Sequence, residues 1–188
     1  MKRSSTLSGV ALSLTALLGL GCAHLPLPDA LKKEPLELEA QGPGEVFTSV
    51  EATAVDALIY AYLQGQAAHE TELVRGGTIR RAGKGFSYSE IHVAGREVPD
   101  VVRYTLKPQD VAHFTIYAPT GNRDVDLRNE RPSRADRRFV TYVDPLHRPL
   151  YILHPSLMIR EYRGEDHELT EVADLRHPAR SILLAGEN

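Results

Sequence analysis

The sequence predicts an α+β domain with a mainly antiparallel β-sheet, flanked by an N-terminal helix and by a short helix after a long loop. Three observations lead there. One stretch near the start has helical periodicity. Strand-type runs separated by Gly and Pro follow it, with a two-glycine hairpin signal among them. The only other capped helical stretch comes behind a long charged loop. The hydrophobic content of 42% is enough for a packed core.

The helix begins at Thr48-Ser49-Val50-Glu51, which has the spacing of a capping box. Val55, Leu58, Ile59, Tyr62 and Leu63 then share one helical face, and Gly65 is a natural stop, which gives a helix over 49–64. Residues 72–81 and 86–93 read as strands joined by Ala82-Gly83-Lys84-Gly85. A third strand is expected at 101–106, and Pro108-Gln109-Asp110 ends it. Residues 111–118 (VAHFTIYA) have the strongest strand character, rich in β-branched and aromatic side chains. A charged loop fills 119–132, and Ser133 caps a short helix through Arg138. Strands are expected at 139–143, 150–154 and 157–162. The polar tail from Gly164 has a short helix around 169–175.

Outside the domain, the chain reads as an exported and anchored protein. Met1-Lys2-Arg3 is a basic start, Val10 to Leu20 is apolar, and no acid appears before Asp29. The apolar run is short of the roughly 20 residues that a membrane span needs. Leu18-Gly19-Leu20-Gly21-Cys22 resembles the bacterial lipobox, in which the Cys is diacylglycerylated, the preceding peptide is cut and the new amino terminus is usually acylated. The family prefers Leu where this chain has Gly19, and Gly21 fits. The other reading is an ordinary signal peptide cut nearby, leaving a free thiol. Ala23 after the Cys resembles an outer-membrane address. The organisation expected is therefore a signal peptide over 1–21, then Cys22 with a tether through 47. The domain follows over 48–163, and a polar tail over 164–188. Pro26, Pro28, Pro35, Gly42, Pro43 and Gly44 interrupt any periodic pattern in the tether.

Within the domain, several short motifs together resemble the JAB/MPN fold of the JAMM metalloproteases, most of all its bacterial members, some of which are attached to polymorphic toxins. Glu72-Leu73-Val74-Arg75-Gly76-Gly77 with the hairpin after it resembles the Glu strand of that family. Residues 111–118 occupy the place of its metal strand, and Ser133-Arg134-Ala135-Asp136 matches its Ser-x-x-Asp. Residues 150–154 and 157–162 resemble its closing strand pair. In active members two His and one Asp hold zinc, Glu takes a proton from the zinc-bound water, and Ser helps stabilise the oxyanion. The resemblance implies Glu72 and Ser133 as catalytic counterparts, and His113 and Asp136 as metal counterparts. This chain departs from the family at His113-Phe114-Thr115, where the second His of His-x-His is missing. Residues two apart on a strand share a face, so His113, Thr115 and Tyr117 point together, and neither Thr nor neutral Tyr is a good zinc ligand. His92 and His154 are the imidazoles that neighbouring strands could bring near His113. Ser133 and Asp136 have a second explanation as a helix N-terminus. Arg134, Arg137 and Arg138 read as a solvated basic face with room for an acidic partner.

The expectation is a lipid-anchored envelope protein whose domain is a non-catalytic binding or interaction module. It has no resident cofactor. Its partners are the bilayer, through acylated Cys22, and an unidentified protein or peptide, which could bind by strand addition. The alternatives are a zinc-dependent peptidase-like or isopeptidase-like hydrolase with a rearranged site, or a component of a polymorphic toxin or immunity system. The formal net charge of −3 argues against a nucleic-acid partner. The single Cys excludes an intrachain disulfide and, if lipidated, a Cys nucleophile. Gly-x-Ser-x-Gly, phosphate-loop, HExxH and dinucleotide motifs are missing, and Trp is absent.

Overall fold

The computed structural model describes residues 38–88, 90–98, 101–164 and 167–177. The expected signal peptide over 1–21, Cys22, the tether through 37 and the tail from 178 lie outside the described residues.

The first element is helix α1 (Val50–Ala68). Ser49 rather than Thr48 caps it, its hydroxyl accepting from the Ala52 N–H at 3.0 Å. The helix runs past Gly65 and ends at His69, which adopts the left-handed conformation (φ 54°). Gly65 serves close approach instead of termination: a Cβ there would lie 3.0 Å from the buried Arg75 guanidinium. Ala54, Ala57, Leu58 and Ala61 are fully buried, and this face packs on the sheet.

The sheet is mixed and has seven strands among the described residues: β1 (Arg75–Ala82), β2 (Gly85–Tyr88), β3 (His92–Val93), β4 (Asp110–Ile116), β5 (Leu150–Leu153), β6 (Met158–Tyr162) and β7 (Leu169–Asp174). The order is β2-β1-β4-β5-β6-β7, with β3 also on β1. Every pairing is antiparallel except β4 with β5, which is parallel, His113 lying opposite Leu150. The α+β class holds, and the sheet is antiparallel apart from this one central pair. Gly76 allows β1 and β4 to approach, since a Cβ on it would meet the Phe114 carbonyl oxygen at 2.5 Å.

Four segments differ from their sequence reading. Residues 139–143, which read as a strand, form a π-helical turn (Phe139–Val143) continuing helix α3 (Arg134–Arg138). Phe139 and Val140 pack against the sheet from that turn, so their apolar character serves a helical face. Residues 169–175, which read as a helix, form strand β7, because β6 offers an edge that local propensity does not register. Residues 101–106 are irregular, and the charged loop contains a short helix α2 (Arg123–Arg128) capped by Asn122.

Strand alternation gives β4 two different faces. Ala112, Phe114 and Ile116 join α1 in the larger core. The opposite face carries His113, Thr115 and Tyr117. There Tyr117, Val140, Leu150, Ile152 and Tyr162 make a second cluster under the π-helical turn. A parallel pair needs a long crossover, and here it carries α2, α3 and the π-helical turn over this second face.

Leu38 and Ala40 already pack against the larger core. The Asp56 carboxylate accepts from Gln41 N at 2.7 Å, Gly42 N at 3.1 Å and the Tyr88 hydroxyl at 2.6 Å. Burial and this carboxylate push the Tyr88 phenol far above its ordinary range, so it remains a donor. Phe47 pairs with Phe86 on the outer edge of β2. Asp56→Ala is expected to lower the unfolding free energy by about 3 kcal/mol, because the Tyr88 hydroxyl loses its charged acceptor. Urea unfolding measures the loss. Faster proteolysis within 38–47 should accompany it.

Candidate functional site

His113 is fully buried. Its Nε2 lies 3.0 Å from Asp144 Oδ2, and its Nδ1 lies 3.4 Å from the Tyr104 hydroxyl. Asp144 is also fully buried. It accepts from the backbone N–H of Leu146 at 3.1 Å and of Arg148 at 2.9 Å, and from the Arg148 guanidinium. Arg148 Nε reaches back to the Asp110 carbonyl at 2.7 Å. Burial lowers the pKa of His113, and the Asp144 carboxylate offsets only part of this. The imidazole is therefore neutral. The network assigns its proton to Nε2, donated to Asp144, and leaves Nδ1 to accept from Tyr104. Burial alone would raise the pKa of Asp144. Hydrogen bonds from His113, Leu146 and Arg148 outweigh it and hold the carboxyl below its usual range. Burial, reinforced by Asp136, Asp144 and Asp110, pushes the Tyr104 phenol up and keeps it protonated.

The other candidates lie above this network. Ser133 and Asp136 form a reciprocal capping box at the start of α3. Ser133 Oγ accepts from Asp136 N at 3.1 Å, and Asp136 Oδ2 accepts from Ser133 N at 2.8 Å. The same Oδ2 accepts the Tyr117 hydroxyl at 2.6 Å. Glu72 is exposed in the turn before β1, ahead of the strand where the sequence places it. Glu72, Tyr117 and Ser133 line one groove of about 1140 Å³, together with Val125, Leu127 and four arginines. A smaller cavity of about 300 Å³ lies on the far side of the Tyr117–Asp136 bond, lined by Tyr104, Thr115, Asp136 and Phe139.

The donors do not fit a zinc ion in this arrangement. Both His113 nitrogens are engaged at Asp144 and Tyr104, and Asp136 is held by Tyr117 and its own helix start. The other imidazoles do not complete a set. Tyr104 packs its ring against both His113 and His92, with centroids 5.9 and 5.8 Å away. His154 is buried elsewhere, its Nδ1 donating to the Asn129 carbonyl at 2.8 Å. Among the described residues, no three His, Cys, Asp or Glu side chains are placed to hold a metal. Strand addition at the groove is also closed, since β1 and β4 are paired along both edges.

The groove thus gathers Glu72 and Ser133, Asp136 lines the smaller cavity behind Tyr117, and His113 belongs to the network beneath. Asp144-Pro145 and Arg148-Pro149 read in the sequence only as turns. Their side chains hold the network, and nothing in the local pattern marks them as buried. Tyr117 is legible as a face-mate of His113, and its bond to Asp136 depends on α3 folding back over β4.

The pH dependence follows from the two buried imidazoles. Burial also lowers the pKa of His154. Below about pH 6.5 the unfolded chain takes up protons that the folded chain does not, so stability falls as pH falls. Each histidine contributes up to about 1.4 kcal/mol per pH unit until its folded pKa is passed. Asp144, with its folded pKa depressed, adds a loss below about pH 3.9. Urea midpoints measured from about pH 7.5 down to about pH 5 should fall, and His113→Gln should remove one of the two histidine contributions. An unchanged slope in that variant contradicts a neutral, buried His113.

Comparison of the chain with known proteins finds no match to a family model, a curated protein or a solved structure.

Proposed function

We propose that this chain is a lipid-anchored protein of the bacterial envelope, held in the outer membrane by acylated Cys22, and that its domain is a non-catalytic binding module on a JAMM-like scaffold. The groove over α2 and α3 is its binding surface, and its partner is a protein or peptide. One observation carries the proposal: Glu72 and Ser133 line a single groove and Tyr117 of that groove holds Asp136, yet the imidazoles that a zinc hydrolase would need are committed to other hydrogen bonds. Tyr117 donates to the carboxylate that the resemblance pairs with zinc. A phenol there holds Asp136 with no need of a cation. The N-terminal pattern supports the anchor, with several acyl chains on one Cys holding far more firmly than a single chain. Among the described residues no helix is long and apolar enough to cross a membrane.

Two experiments test the two halves separately. Cys22→Ser should move the protein from the membrane fraction to the soluble fraction, and retention in the membrane removes the anchor. Elemental analysis of full-length protein purified in neutral detergent without chelator should find zinc well below one per chain. Its thermal midpoint should be unchanged by EDTA. Stoichiometric zinc that disappears in Asp136→Asn makes the chain a hydrolase with a rearranged site instead.

A further inference from the structure

We infer that the occupant of the groove is an acidic protein segment, an extended run of Asp and Glu side chains. This rests on the reading of the groove as a binding surface and adds the chemistry of the ligand. Arg128 ends α2, Arg131 lies in the link, and Arg134 and Arg137 lie on α3; all four line the groove. Six arginines elsewhere are matched with acids: Arg75 and Arg96 with Glu70, Arg148 with Asp144, Arg160 with Glu130, Arg163 with Glu161, and Arg176 with Asp174. Among the described residues Arg80, Arg81, Arg103, Arg123 and Arg138 are not; what sets the groove apart is that four unmatched arginines line one concavity. Among the described residues the four groove arginines have no such match, and Arg137 donates only to the Pro132 carbonyl, at 3.0 Å.

Three of the acids near them are already occupied, and Asp124 on α2 is exposed to solvent. Asp126 accepts from Thr120 and Gly121, Glu130 from Ser156 and Arg160, and Asp136 from Tyr117 and Ser133. Glu72 is the carboxylate among the lining residues. Like charges gathered without counter-charges create a positive potential that draws anions and raises their rate of encounter. Guanidinium groups bind carboxylates through paired N–H donors.

The spread of the arginines over two helices and their link suits an elongated ligand better than a compact anion. Val74, Val125, Leu127 and Pro132 offer apolar wall to the methylene stems of Glu or Asp. A single-stranded nucleic acid fits less well, because binding it without sequence preference relies on exposed aromatic faces for base stacking. The aromatic side chain in the lining, Tyr117, is only 5% exposed.

The test is fluorescence anisotropy of a labelled deca-glutamate peptide with full-length protein in neutral detergent. Saturable binding is expected, weakening as salt rises toward 0.15 M, where the screening length is about 8 Å. Arg134→Glu with Arg137→Glu should lower the affinity about tenfold or more, and the milder pair Arg134→Gln with Arg137→Gln should lower it less. Lys84→Glu with Lys107→Glu makes the same change in net charge away from the groove, at exposed positions, and should leave affinity nearly unchanged. Far-UV circular dichroism verifies that each variant is folded. The inference fails if binding does not saturate, if the two reversal pairs lose affinity equally, or if an oligonucleotide of equal charge displaces the peptide. A metal-free protein that ignores the peptide removes this inference alone. A zinc-loaded protein that binds it removes the non-catalytic reading alone.

Discussion

Each oxygen of the Asp144 carboxylate takes two donors: Leu146 N and the Arg148 guanidinium on one, His113 Nε2 and Arg148 N on the other. An ionised carboxylate out of contact with water is tolerated only when it is paired and hydrogen-bonded in this way. The arrangement joins two places far apart in the chain: β4, and the short link between the π-helical turn and β5 some 31 residues on. Arg148 closes the loop onto Asp110. With these points fixed, His113 N also reaches the Pro149 carbonyl at 2.9 Å, and the parallel register of β4 with β5 follows.

That parallel pair decides where the groove lies. An antiparallel neighbour could have been joined by a tight turn, whereas a parallel one requires a chain of a dozen residues or more to travel back across a sheet face. Here the returning chain carries α2, α3 and the π-helical turn, and Val140 fastens it by packing with Leu150, Ile152 and Tyr162. Helix α3 is then held at its start by Tyr117 from β4. The arginines of α2 and α3 are a by-product of the same route, displayed along the rim of the concavity it leaves. The buried Asp144 carboxylate beneath is satisfied by its own partners, whereas the four arginines above have no ion pair among the described residues.

Much of the fold is legible where periodicity and local chemistry agree. Helix α1 shows its buried stripe and its cap, the β1–β2 hairpin its glycines, β4 its alternation, and α3 its Ser-x-x-Asp start. The reading misses where tertiary context overrules the local pattern. Gly65 resembles a stop signal, yet it is small because a guanidinium lies against it. Phe139 and Val140 are apolar for a helical face, and 169–175 becomes strand because β6 presents free backbone groups. The candidate site divides in the same manner. Ser133 with Asp136 is a local motif and forms as read, and Tyr117 is a face-mate of His113 by alternation. The partnership of His113 with Asp144 spans 31 residues, and no spacing rule indicates it.

By itself the sequence determined the elements whose causes lie within a few residues: caps, hairpin, alternation, and the basic-then-apolar start ending at Cys22. These depend on backbone geometry and side-chain size, which adjacent residues specify. Only the tertiary structure decided the parallel pairing at the centre, the burial of Asp144 and Arg148, and the meeting of Glu72, Tyr117 and Ser133 at one groove. Those depend on which distant groups can satisfy each other away from water, and a linear pattern of residue types does not contain that information.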